Sequence, residues 1–123
     1  MKVIELAFSC YPVTDVARSR AFYEGLLGLK PTMDHATDSA HWIEYDISGG
    51  TLAIGSAPGW NASDQGCSVG LEVDDFDIAV AELRAANVPF KVGPMETPVC
   101  HMAFVGDPDG NSVGIDKRKP GHH

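Results

Sequence analysis

Cysteine is scarce in this chain, and the three present, Cys10, Cys67 and Cys100, are odd in number, far apart and free of any CxxC pair. That spacing argues against a disulfide framework and against a zinc ribbon, and fits reduced thiols in a cytoplasmic protein. Long apolar runs are missing as well. Nothing approaches the ~20 residues needed to cross a bilayer, and Glu5 and Pro12 break up the only stretch that resembles a signal-peptide core, so neither membrane nor export is expected. Without export, the glycosylation pattern Asn61-Ala62-Ser63 has no consequence. Basic residues are few: nine Lys and Arg face 17 Asp and Glu, for a net charge of −8, and only Lys117-Arg118-Lys119 cluster. A polyanion would be repelled, which excludes nucleic acid as a partner class. The same acidity favours cationic or neutral small molecules, but it is equally a solubility feature and selects no ligand.

What the chain does have is 123 residues with 44% hydrophobic and 21% charged content, ordinary for one packed domain. It also repeats itself. Val13-Thr14-Asp15-Val16 and Val73-Asp74-Asp75-Phe76 each close a strand-like apolar segment on an Asp that can cap a following helix. Downstream of these, Gly49-Gly50-Thr51-Leu52-Ala53-Ile54 is matched by Gly110-Asn111-Ser112-Val113-Gly114-Ile115. The pattern predicts two modules, about 3–56 and about 67–116, joined by a linker at 57–66 and followed by a polar tail at 117–123. His122-His123 is excluded from site reasoning as a possible tag remnant.

Within module one a buried strand is expected over 3–10, a helix from about Val16 to Leu27 ended by Gly28, and a short strand from Pro31 to Met33. The polar stretch 34–40 reads as an irregular connection. His41–Ile47 and 51–56 form a hairpin about Ser48-Gly49-Gly50, and the linker carries one exposed-looking aromatic, Trp60, as a tether or a lid. Module two repeats the order: strand 67–73, helix 76–86 ended by Asn87, a short strand 89–92, then 99–105 and 111–115 about the turn Asp107-Pro108-Asp109-Gly110.

Taken together, the two strand–helix–three-strand modules, the Asp-capped first helix with Arg20-Ala21-Phe22-Tyr23-Glu24-Gly25-Leu26-Leu27-Gly28-Leu29, and Asp107-Pro108-Asp109-Gly110-Asn111 before the last strand resemble the vicinal oxygen chelate superfamily. That group holds glyoxalase I, bleomycin-resistance proteins and extradiol dioxygenases. The resemblance spans about residues 3–116 and implies an α+β fold of two βαβββ modules forming an incomplete barrel around a cleft, with helices outside, usually in a homodimer. In metal-dependent members it implies ligands on the first and last strands of each module. Matched by spacing, those positions are Phe8, Ala53, Ser68 and Gly114. A catalytic divalent metal needs about three donors from His, Glu, Asp or Cys, and these four residues supply only a neutral hydroxyl. The expectation is therefore no metal and no cofactor, with a small organic molecule as the partner.

Strand alternation places Leu6, Cys10, Thr51, Gly55, Gly70, Glu72, Ser112 and Asp116 on the same face as those four, with large apolar residues opposite. On the 41–47 strand, Trp42 and Glu44 could stack on and pair with an aromatic or cationic ligand, or be ordinary strand residues. His101 could be a base or ligand, or simply hydrogen-bonded structure. Cys10 or Cys100 could act as a nucleophile if a base lay near, or serve as a small buried residue. No combination amounts to a catalytic signature. The cleft candidates are Phe8, Cys10, Trp42, Glu44, Ala53, Ser68, Glu72, His101 and Gly114, for sequestration or carriage of an organic ligand. The alternative is a metal-dependent lyase, isomerase or dioxygenase using Glu44, Glu72 and His101.

Overall fold

The computed structural model describes residues 1–2 and 4–121; the expected strand start at Val3, and His122-His123, lie outside the described residues. The chain divides into two compact units, Met1–Ala62 and Ser63–His123. The first holds β1 (Ser9–Pro12), α1 (Val16–Arg20) running into a π-helical turn (Ala21–Leu26), β2 (Met33–Ala36), β3 (His41–Ile47) and β4 (Gly50–Ser56). The second holds β5 (Val69–Glu72), α2 (Phe76–Ala85), β6 (Phe90–Glu96), β7 (Cys100–Gly106) and β8 (Ser112–Arg118). Each unit makes a four-stranded mixed sheet, ordered β1-β4-β3-β2 and β5-β8-β7-β6. In both, the first strand pairs in parallel with the last and the other pairs are antiparallel. These are the two βαβββ modules that the repeat predicts.

The two register aspartates cap as expected. Asp15 accepts from the Arg18 N–H and Asp75 from the Ile78 N–H, each at 3.0 Å, satisfying a donor that the first helical turn leaves open. Gly28 ends the first helix at φ 74° and Asn87 the second at φ 58°, the left-handed conformation that turns a chain out of a helix. The first helix departs from the regular pattern. Leu27 N–H reaches back to the Phe22 carbonyl at 2.9 Å, a five-residue step, and the widened turn buries the adjacent Phe22 and Tyr23 together.

Several boundaries differ from the expected ones. Residues 4–8 lie outside the sheet and β1 begins at Ser9, carrying Tyr11 and Pro12, which the sequence reading assigns to the exit from the strand. The connection expected over 34–40 is strand through Ala36, because Asp34, His35 and Ala36 pair with Ile43, Trp42 and His41 along the sheet edge. The second strand of module two, β6, extends to Glu96, and Lys117 and Arg118, expected in the tail, complete β8 opposite His101 and Cys100.

Different chemistry fills the two helix-covered faces. In module one Tyr23 is fully buried, stacked on Tyr11 at 6.2 Å and on Tyr45 at 6.4 Å between ring centroids. The Tyr45 hydroxyl donates to Glu24 at 2.8 Å; Arg20 joins Glu24 to Asp34, each at 2.8 Å; and Asp34 meets His41 at 2.6 Å. Burial, and then the bond to Glu24, hold the Tyr45 hydroxyl in its protonated form. The His41 contact, followed by Arg20, keeps the Asp34 carboxyl below its ordinary value of 3.8. In module two the buried face is aliphatic apart from Phe76, which is shielded from solvent together with Val80 and Leu83 of α2 and Val105, Val113 and Ile115 of the sheet.

Candidate functional site

Residues paired across a sheet point to the same side, so register decides which side chains share a face. In module one Cys10 pairs with Ala53, Ala53 with Glu44, and Gly55 with Trp42. These residues lie on the face turned away from the tyrosine core, where strand parity predicts them. The exposed Phe8 precedes β1 and sets its ring edge-on to Trp42 at 5.4 Å. Trp42 in turn donates its indole N–H to Glu44 at 2.8 Å.

A residue absent from the expected set completes this face. Trp60 stacks on Trp42 at 6.2 Å with planes 20° apart. Gly55 makes the stack possible, since a Cβ there would sit 2.6 Å from the Trp60 ring and 3.0 Å from that of Trp42. The signal was in the sequence as an aromatic in a Pro-Gly turn opposite a strand glycine, but only the fold of the loop brings them together. The start of the 57–66 segment folds back through a Trp60-to-Ala57 backbone bond, and within the second unit the Ser63 N–H donates to Asn111 Oδ1 at 3.4 Å.

In module two Gly70 pairs with Gly114 and Gly114 with Phe104, while Glu72 pairs with Asp116 and Asp116 with Met102. These residues, with Arg118, line a depression of about 260 Å³ on the face turned away from the α2 side. The glycines form its floor. Glu72 accepts the Arg118 backbone N–H at 3.0 Å and lies 3.8 Å from that residue's guanidinium.

Of the remaining candidates, Ser68 is exposed and precedes β5, so its side chain is not fixed by pairing. His101 is not on this face. It pairs with Lys117 and Glu96, one position out of phase with Met102 and Asp116, and its ring lies 5.8 Å from Phe76 of α2. The sheet itself separates His101 from Glu72, so the set Glu44, Glu72 and His101 does not assemble as metal ligands. Cys100 and His101 are neighbours on one strand and point to opposite sides, which removes that thiol–imidazole pair. Cys100 contacts Thr97 Oγ1 at 3.2 Å instead. Burial pushes the Cys10 thiol up, away from thiolate chemistry.

The residues do not fit the superfamily's metal. Phe8 and Ala53 have no donor atom, and Ala53 is fully buried between its register neighbours. At Gly114 a Cβ would meet the Phe104 ring at 3.0 Å and the Gly70 backbone at 3.2 Å, so the space that a ligating side chain would need holds a phenyl ring. Among the described residues no three His, Cys, Asp or Glu side chains gather as a metal site, and no helix is long and apolar enough to cross a membrane.

The comparisons with known proteins agree with this architecture. TnmS3, an antibiotic binding protein from Streptomyces sp. CB03234, superposes with a TM-score of 0.79 at 24% identity, covering 97% of this chain and 99% of its own. A glyoxalase/bleomycin resistance protein from the same organism gives 0.73 at 26% identity, over 92% and 100%. The trypanothione-dependent glyoxalase I of Leishmania major gives 0.77 at 23% identity, over 94% and 87%. No curated protein matches the sequence significantly. Residues 5–115 match the model of the Glyoxalase/Bleomycin resistance protein/Dioxygenase superfamily, and with its two βαβββ modules in place the chain belongs to that superfamily.

Proposed function

We propose that this protein binds a small organic molecule without a metal, by sequestration or carriage, and that module one grips a planar or aromatic part of it. The observation that carries the reading is the aromatic face of Phe8, Trp42 and Trp60 with Glu44 bonded to the Trp42 indole. Indole faces offer large contact area at small entropic cost, and a carboxylate beside them favours an amine or another donor. Solved relatives include a protein that binds an antibiotic, which supports the same class of ligand here. A homodimer in the cytoplasm completes the proposal.

The test is a titration of intrinsic tryptophan fluorescence with bleomycin and a panel of planar aromatic amines. Saturable quenching is expected, weakened at least tenfold by Trp42→Ala and unchanged by prior dialysis against a chelator. A flat response across the panel sinks the reading. Loss of binding on chelation would instead support a metal-dependent enzyme, and a monomer mass by light scattering would remove the dimer.

A further inference from the structure

The depression on module two differs in kind from the aromatic face of module one and lies wholly within the second unit. One side is apolar: Met102 and Phe104 line it, and their register partners on β6, Met95 and Val92, continue the surface at 44% and 47% exposure. The other side is charged. Glu72 and Asp116 stand directly opposite each other in the β5–β8 pair, an arrangement that is unfavourable for two like charges. Arg118 serves Glu72, through its backbone N–H and its guanidinium. The half-buried Asp116 carboxylate has no side-chain partner among the described residues. Two carboxylates and one guanidinium leave a single negative charge at the end of an apolar trough.

We propose that this depression is a binding site for an amphiphilic organic monocation, its ammonium held by Asp116 and Glu72 and its apolar arm laid along Met102, Phe104 and Met95. This rests on the proposed reading of a bound organic molecule and deepens it, by naming the charge and shape of the part that these residues of module two take. The glycine floor gives the ammonium room. Gly70 has nothing within 4 Å of where a Cβ would stand, so the floor is open there, next to the Phe104 ring that covers Gly114. A neutral analogue would leave Asp116 uncompensated, and an anion would add to the repulsion.

The experiment uses the full chain and three probes of one shape: 3-phenylpropylammonium, 3-phenylpropan-1-ol and 3-phenylpropionate. Binding is followed by calorimetry and by the methyl resonances of methionines labelled with carbon-13. The ammonium is expected to bind and to shift Met95 and Met102, with affinity falling as salt is raised. The alcohol should bind roughly tenfold more weakly and the carboxylate not measurably. Asp116→Asn should weaken the ammonium about tenfold, while Arg118→Gln, which removes the competing cation, should tighten it two- to threefold. Dispersed methyl spectra of both variants show that they are folded, and the opposite signs of the two effects exclude a shared folding defect. Equal affinity for the three probes, no binding of the ammonium, or an unchanged Asp116→Asn overturns the proposal. A response at Trp42 and Trp60 with none at Met95 and Met102 overturns it and leaves module one's reading standing. The reverse pattern does the opposite.

Discussion

Where module one stacks Tyr23 of its helix on Tyr11 and Tyr45 of its strands and ties their edge with Glu24 and Arg20, module two sets Phe76, Val80 and Leu83 of its helix against aliphatic strands. The other faces diverge in the same manner. Trp42 stands opposite a glycine and Glu44 opposite an alanine in the first; Phe104 stands opposite a glycine and Met102 opposite an aspartate in the second. Aromatic and acidic residues have exchanged rows on an unchanged lattice. The scaffold therefore fixes where a side chain points and leaves its chemistry free, which is how one repeat can carry two unlike surfaces.

The contrast between the cores can be broken by truncating them. Tyr23→Ala removes a fully buried ring with two stacked partners and an edge contact to Phe22, and should lower the unfolding free energy by about 3–5 kcal/mol in urea titrations. Leu83→Ala should cost about 2–4 kcal/mol. A smaller loss for Tyr23 than for Leu83 would show that the tyrosine stack is not the stronger core.

The turns before β4 and β8 sharpen the comparison next. Asp107 is buried and accepts from the Asp109 and Asn111 backbone N–H groups and from the Asn111 amide. Asp107→Ala orphans those donors and should cost about 2–3 kcal/mol. At the matching turn, the exposed Ser48 sits at φ 47°, and Ser48→Ala should change stability by less than about 0.5 kcal/mol in the same thermal or urea melts. Equal effects would erase the distinction.

Where the modules agree, the effects should agree. Asp15→Ala and Asp75→Ala each remove one 3.0 Å cap bond and should each cost about 1 kcal/mol. A gap larger than the error of the melts would mean that the two caps are not equivalent.

The smallest effect is on pH. The folded-state pKa of Asp34 is lowered by His41 and then Arg20, so its stabilising contribution is present above the ordinary carboxylate value and is lost as pH falls through the depressed one. Asp34→Asn should flatten the acid limb of the melting temperature below about pH 4. Glu96, lowered in the same sense by Lys119 in module two, keeps the remaining slope. An acid limb identical to that of the parent would count against the Asp34 assignment.

Much of this was legible in the sequence because each signal was local. A capping Asp, a helix-ending Gly28 or Asn87 and a Pro-Gly turn each work within a few residues, so the two modules and the facing of Cys10, Ala53, Glu72 and Gly114 follow from spacing alone. What escaped depends on pairing at a distance. Asp34, His35 and Ala36 have no strand propensity of their own and become strand by hydrogen bonding to β3. His101 entered the cleft candidates for its chemistry alone; its face depends on register against β8, which turns it toward Phe76. Trp60 joins Trp42 through the path of a loop, which no periodicity encodes.

The parallel pair at the edge of each sheet has a kinetic meaning. Ser9 lies opposite Leu52, and Val69 opposite Val113, so the first strand to leave the ribosome waits for a partner about forty residues later, while the antiparallel pairs between them close through much shorter loops. Closing that long loop is the costliest contact in either module by chain entropy. It follows, as a hypothesis, that the hairpins form first and the leading strand docks last, with low φ-values for conservative substitutions at Tyr11 and Leu71 as its signature; values near one at both would refute it.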